Sequence, residues 1–138
     1  MPDDTLVRAA REAQTRAYAP YSHYRVGAAL EAVDGRVFTG ANVENASYGL
    51  TICAERSAVA AAVSAGVQRF RRIVIVTDSD PPASPCGACR QVLVEFGPDL
   101  QVEAVGPRRQ VRWRLDDLLP ASFGRATLGG PTAPGSGA

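Results

Sequence analysis

No stretch of this chain approaches the roughly 20 consecutive apolar residues of a membrane-spanning helix. Its opening, MPDDTLVRAA, is acidic and helix-like, where a secretory signal would be basic and then apolar. Neither a membrane protein nor a signal-led secreted protein is therefore expected. Charge of one sign is equally scarce. The 15 basic residues stand against 14 acidic ones, a net charge of +1, which gives no strong field for a polyanion, so neither nucleic acid nor an acidic membrane is expected as a partner. Internal repeats are absent. Cysteine is rare, at three residues in 138, and an odd number fits a reducing compartment and metal binding better than a disulfide framework. The cytoplasm is the expected location. The length is that of one domain with one core. We expect residues 1–128 to form it and GGPTAPGSGA, from Gly129 on, to be a disordered tail.

What cysteine there is lies in two segments. Cys53 belongs to NVENASYGLTICAERS, residues 42–57, and Cys86 and Cys89 to PCGAC, residues 85–89; Glu55 is the acidic residue close to them in sequence. A CxxC pair alone is compatible with zinc, with redox chemistry or with accident. A third cysteine followed two residues later by a glutamate narrows these options. Three thiolates leave one position of a tetrahedral Zn²⁺ open, and an open position separates a catalytic zinc site from a closed structural one.

The flanking patterns suggest where these residues stand. Residues 54–63 are rich in alanine and valine with Gly66 after them, which reads as a helix packed tightly on a sheet. If it starts near Thr51 or Ile52, Cys53 falls in the first turn, where free N–H groups and the dipole favour a thiolate. A capping-box role for Glu55 would need Ser or Thr three residues earlier, and Ile52 is there. Cys86 opens a second helix ending at Gly97 and Pro98, and Cys86 and Cys89 share a face of its first turn. Arg56 is either a surface charge or a guanidinium donating to the sulfurs. Three thiolates and one Zn²⁺ leave a charge of −1 that such a donor would offset.

The remaining elements follow from periodicity. Residues 2–17 read as an amphipathic helix, with Asp3 and Asp4 at the positive end of its dipole. Residues 26–31 and 36–43 read as strands joined by the hairpin signal Asp34-Gly35. Asn42 and Glu44, two apart, would share a face, as either a solvated strand end or a clamp for a sugar hydroxyl. IVIVT at 73–77 reads as a strand buried on both faces. Strands are also expected at 100–105 and 111–115, and a last short helix at 116–120. Arg108, Arg109, Arg112 and Arg114 read as a solvated sheet edge rather than a phosphate site. The element order implies a mixed sheet covered by helices, an α/β domain.

CAE at 53–55 with PCGAC at 85–89 resembles the signature of the zinc-dependent cytidine and deoxycytidylate deaminases. YSHYRVGAAL at 21–30, NVENASYGLTICAERSA at 42–58 and PCGACRQVL at 85–93 are similar to the short, homotetrameric, free-nucleoside branch of that family. The resemblance implies a three-layer α/β/α sandwich with a mixed five-stranded sheet. It implies one Zn²⁺ per chain between two helix N-termini, on Cys53, Cys86 and Cys89, with Arg56 donating to the sulfurs. Glu55 is then the general base and later the general acid. Asn42 and Glu44 bind the ribose. Tyr24 faces the pyrimidine where the family usually has Phe, beside Arg25 where Pro is common, and Phe123 reaches the site of a neighbouring subunit. The implied reaction is hydrolytic deamination of cytidine and 2′-deoxycytidine, with release of ammonia, in pyrimidine salvage. Two alternatives stay open. A deaminase of another substrate is one, and a polynucleotide enzyme should show a basic channel. The other is a non-enzymatic zinc or redox module, which needs a fourth ligand or a reactive thiol pair.

Overall fold

The computed structural model describes residues 4–129. Its element order is α1 (Thr5–Gln14), β1 (Gly27–Ala32), β2 (Val37–Ala41), a 3₁₀ turn (Tyr48–Leu50), α2 (Ala54–Ser64), β3 (Phe70–Val76), α3 (Gly87–Val94), β4 (Gln101–Val105), β5 (Gln110–Arg114) and α4 (Leu115–Leu118). The five strands form one sheet in the order β2-β1-β3-β4-β5. Only β3 and β4 run parallel; the other neighbours are antiparallel. The mixed five-stranded sheet expected from the sequence is the observed one.

Side chains alternate between the two faces of each strand, and this alternation sorts the core into two layers. On one face Leu6, Val7 and Ala10 of α1 pack on Ala29, Val74, Val76 and Val105. On the other, Ala54, Ala58, Val59 and Ala62 of α2 and Leu93 and Val94 of α3 cover Ala28, Leu30, Ile73, Ile75 and Val102. The expected α/β/α sandwich results, with β3 buried on both sides. The alanine stripe of α2 brings its backbone onto β2 at Gly40. A Cβ there would lie 2.4 Å from the Ala58 amide nitrogen and 2.5 Å from the Ala54 carbonyl oxygen. That contact fixes the height of the N-terminus of α2 above the sheet.

Several expected boundaries moved. The first helix spans Thr5–Gln14 rather than 2–17, because the Asp4 side chain caps it by accepting from the Leu6 and Val7 amides. Asp4 also pairs with Arg72 of β3, tying α1 to the sheet. The Asp34-Gly35 turn forms as expected, with Gly35 at φ +93°. β2 stops at Ala41, so Asn42 and Glu44 lie beyond the strand, and Val43 makes isolated bridges to Tyr18 and Ile52. There the backbone changes partners: the Asn42 carbonyl and the Glu44 amide bond Tyr18 and Val43 exchanges both its bonds with Ile52, while the Asn42 side chain braces the Tyr24–Val26 backbone. Gly66 ends α2 at φ +83°. The expected tail lies outside the described residues apart from Gly129.

Candidate functional site

The helices α2 and α3 point their N-termini at one place. Cys53 and Cys86 are the residues immediately before them, with extended φ/ψ of −74°/156° and −67°/168°. Cys53 is thus the cap of α2 rather than a first-turn residue, because the helix begins at Ala54 and not at Thr51 or Ile52. Neither thiol caps its own helix, so both are free to turn towards Cys89, which is buried in the first turn of α3. The three sulfurs lie within 4.8 Å of one another, with Cys53 and Cys86 Sγ 3.8 Å apart. Two sulfurs bound at about 2.3 Å to one tetrahedral zinc lie roughly 3.8 Å apart. The donor set fits zinc in both chemistry and spacing, with room for a fourth ligand.

The electrostatics around these sulfurs are polarised. The Cys53 thiol is pulled down to about 5, first by its hydrogen bond with Cys89 and then by Arg56 and Cys86. The Cys89 thiol is pushed up by the same bond to Cys53 and by burial. Arg56 Nη2 donates to Cys53 Sγ at 3.5 Å. Of the two readings left open for Arg56, the geometry favours the donor to sulfur. Glu55 is only 5 % exposed, and burial raises its carboxyl above the usual range, with the nearby Cys53 charge adding to the effect.

Cys53, Glu55 and Cys86 line a cleft of about 270 Å³, together with Tyr24, Asn42 and Glu44. The cleft thus unites six of the residues singled out in the sequence. Cys89 lies behind it among the sulfurs. Phe123 does not line it; its ring is 57 % exposed and Gln91 Nε2 donates to its carbonyl oxygen. Glu44 accepts from the Tyr21 and Ser22 amides at 3.0 and 3.1 Å and from the Ser22 hydroxyl. The Ser22 hydroxyl is the main cause of its lowered pKa. Asn42 is 7 % exposed. Its Nδ2 donates to the Tyr24 carbonyl at 2.8 Å, and its Oδ1 accepts from the Val26 amide at 2.9 Å. Ser22, Thr51, Thr77 and Ser84 also line the cleft, and no local sequence signal marks them.

A mixed sheet carrying two helix N-termini, three convergent thiols and a buried carboxylate beside an open cleft defines a zinc-hydrolase type of centre on an α/β scaffold. The chain belongs to the cytidine and deoxycytidylate deaminase family: residues 1–104 match the family model described as the cytidine and deoxycytidylate deaminase zinc-binding region. It is 50% identical over 127 residues to a probable cytidine deaminase of Dictyostelium discoideum, an alignment that covers 91% of this chain and 86% of the relative. It is 47% identical over 129 residues to cytidine deaminase of Mycobacterium tuberculosis H37Rv, covering 90% and 93%. Among solved structures, cytidine deaminase of Burkholderia pseudomallei superposes with a TM-score of 0.85 at 47% identity, covering 89% of this chain and all of that one.

Proposed function

We propose that this protein catalyses the hydrolytic deamination of cytidine and 2′-deoxycytidine to uridine and 2′-deoxyuridine, with release of ammonia. The observation that carries the reading is the buried Glu55 carboxyl at the wall of the cleft that three sulfurs of zinc-ligating geometry adjoin. Zinc held by Cys53, Cys86 and Cys89 would supply the Lewis acidity that makes a water nucleophilic near neutral pH. Glu55 takes one proton from this water and delivers it to N3 of the base, then takes the second from the hydroxyl added at C4 and delivers it to the amine, which leaves as ammonia. Burial suits the carboxyl to both halves of this task, because a desolvated carboxyl holds a proton more readily. Arg56, donating to Cys53 Sγ, offsets the negative charge of the sulfurs.

In this reading Glu44 and Asn42 hold the sugar 3′-hydroxyl and Tyr24 lies against the pyrimidine. Asn42 has spent one donor and one acceptor on the backbone, which leaves its second N–H for a ligand. Phe123, exposed and away from the cleft of its own chain, serves the site of a neighbour in a homotetramer. The exposed Tyr18, Tyr21, Tyr48, Leu50 and Ile52 supply apolar surface for such an interface. A polynucleotide substrate is disfavoured by the arginines near β5. Arg109 pairs with Asp80, Arg112 with Glu103 and Arg114 with Asp116, so three of the four are ion-paired at a sheet edge, and no arginine is among the residues lining the cleft. Among the described residues no helix is long and apolar enough to cross a membrane, and we place the enzyme in the cytoplasm, where free thiols persist. The test is loss of the cytidine ultraviolet band on mixing with zinc-loaded protein. An unchanged band would refute the proposal.

A further inference from the structure

Tyr24 differs from a phenylalanine by one hydroxyl, and the structure gives that hydroxyl a partner. It shares a hydrogen bond of 3.2 Å with the Ser79 hydroxyl, 55 residues further along the chain. Ser79 is itself anchored: its hydroxyl is 2.8 Å from that of Thr77, and its amide donates to Thr77 Oγ1 at 3.3 Å. Thr77 is buried, continues β3 by donating its amide to the Val105 carbonyl, and lines the cleft. On the other side of Ser79, the backbone of Gly106 packs so closely that a Cβ there would fall 2.6 Å from the Ser79 carbonyl oxygen. The end of the tether is therefore fixed to the sheet on two sides.

The rest of Tyr24 is held at its backbone. Its amide donates to Ser22 Oγ at 3.0 Å and its carbonyl accepts from Asn42. Nothing in those two bonds fixes the ring; the residue is 41 % exposed, and without a contact at its tip the ring is free to rotate about χ1 and χ2. The contact with Ser79 removes that freedom.

We propose that Ser79 is a positioning residue for the known reaction of this family in this chain: through the Thr77–Ser79–Tyr24 hydroxyl chain it locks the Tyr24 ring as a fixed wall of the base pocket. The inference rests on the reading above that Tyr24 faces the substrate base. A wall fixed before the substrate arrives acts equally on bound substrate and transition state, so its loss appears in KM and leaves kcat alone. One neutral hydrogen bond gives a change of roughly 2- to 10-fold.

The experiment measures kcat and KM for cytidine with Tyr24→Phe, Ser79→Ala, the double variant and Tyr24→Ala, alongside thermal midpoints. Tyr24→Phe and Ser79→Ala should each raise KM by that factor with kcat within about twofold, and the double variant should match either single one, since both remove the same bond. Single variants with the KM of the parent, effects that multiply in the double variant, or a lowered midpoint at unchanged KM would each overturn the proposal. Tyr24→Ala separates the two levels of the argument. If it raises KM while Tyr24→Phe and Ser79→Ala do not, the tether alone is wrong. If it too leaves KM unchanged, Tyr24 does not face the substrate and both readings fall.

Discussion

Glu55 stands two residues after Cys53 on the first turn of α2, so a proton carrier and a metal ligand share one rigid element. Glutamine at this position keeps the shape and the polarity but cannot carry the proton. Glu55→Gln should therefore retain about one zinc per chain by atomic absorption and lose 10²–10⁴-fold in kcat, the usual range for general acid–base catalysis. Turnover near that of the parent would remove Glu55 from the mechanism. Cys53, Glu55, Cys86 and Cys89 were legible in the sequence because they are rare residue types at spacings that chemistry restricts. Ser22, Thr77 and Ser79 were not. Serine and threonine are common in loops, and only the tertiary fold brings Ser22, Glu44 and Thr77 to one cleft and Ser79 against Tyr24 and Thr77. The double duty of Asn42, which braces the Tyr24–Val26 backbone, was hidden for the same reason: its partners lie 16 and 18 residues away.

The element that sets the geometry is α2, and its position depends on Gly40 more than on any residue of its own. A methyl group at Gly40 meets backbone atoms of Ala54 and Ala58, which cannot rotate away. Gly40→Ala should destabilise the protein by about 1–3 kcal/mol or more, as overpacking does, and lower zinc affinity as well, because Cys53 moves with the helix. A melting temperature and zinc affinity equal to those of the parent would show that α2 can yield at this point. Element types were well marked in the sequence: the β-branched run of β3, the Asp34-Gly35 turn and Gly66 each name a local conformation. Ends were less so. Val43 continued the alternation of β2, yet the backbone there pairs with Tyr18 and Ile52, outside the sheet. The start of α2 is two or three residues later than Ile52 or Thr51 suggested, since Cys53 keeps an extended backbone.

At the scale of the whole molecule, the layer architecture follows from the order of helices and strands, but the strand order β2-β1-β3-β4-β5 has no local signature. The proposed homotetramer belongs to this scale as well. Sedimentation should give a species of four chains, and Phe123→Ala should lower kcat/KM without loss of zinc; an active monomer would strip Phe123 of its role. Substrate size tests the account most directly. Glu44 and Asn42, clamped by Ser22 and by the Tyr24–Val26 backbone, would read a free 3′-hydroxyl. A nucleoside without it leaves the second N–H of the buried Asn42 unpaired, at a cost of roughly 1–3 kcal/mol. The measurement is kcat/KM, followed at the cytidine band with zinc-loaded protein, for cytidine, 2′-deoxycytidine, 2′,3′-dideoxycytidine and a cytosine within an oligonucleotide. Similar values are expected for the first two, a value on the order of tenfold or more lower for the third, and none for the oligonucleotide. An oligonucleotide deaminated as fast as free cytidine would contradict both the sugar clamp and the assignment of a nucleoside as substrate.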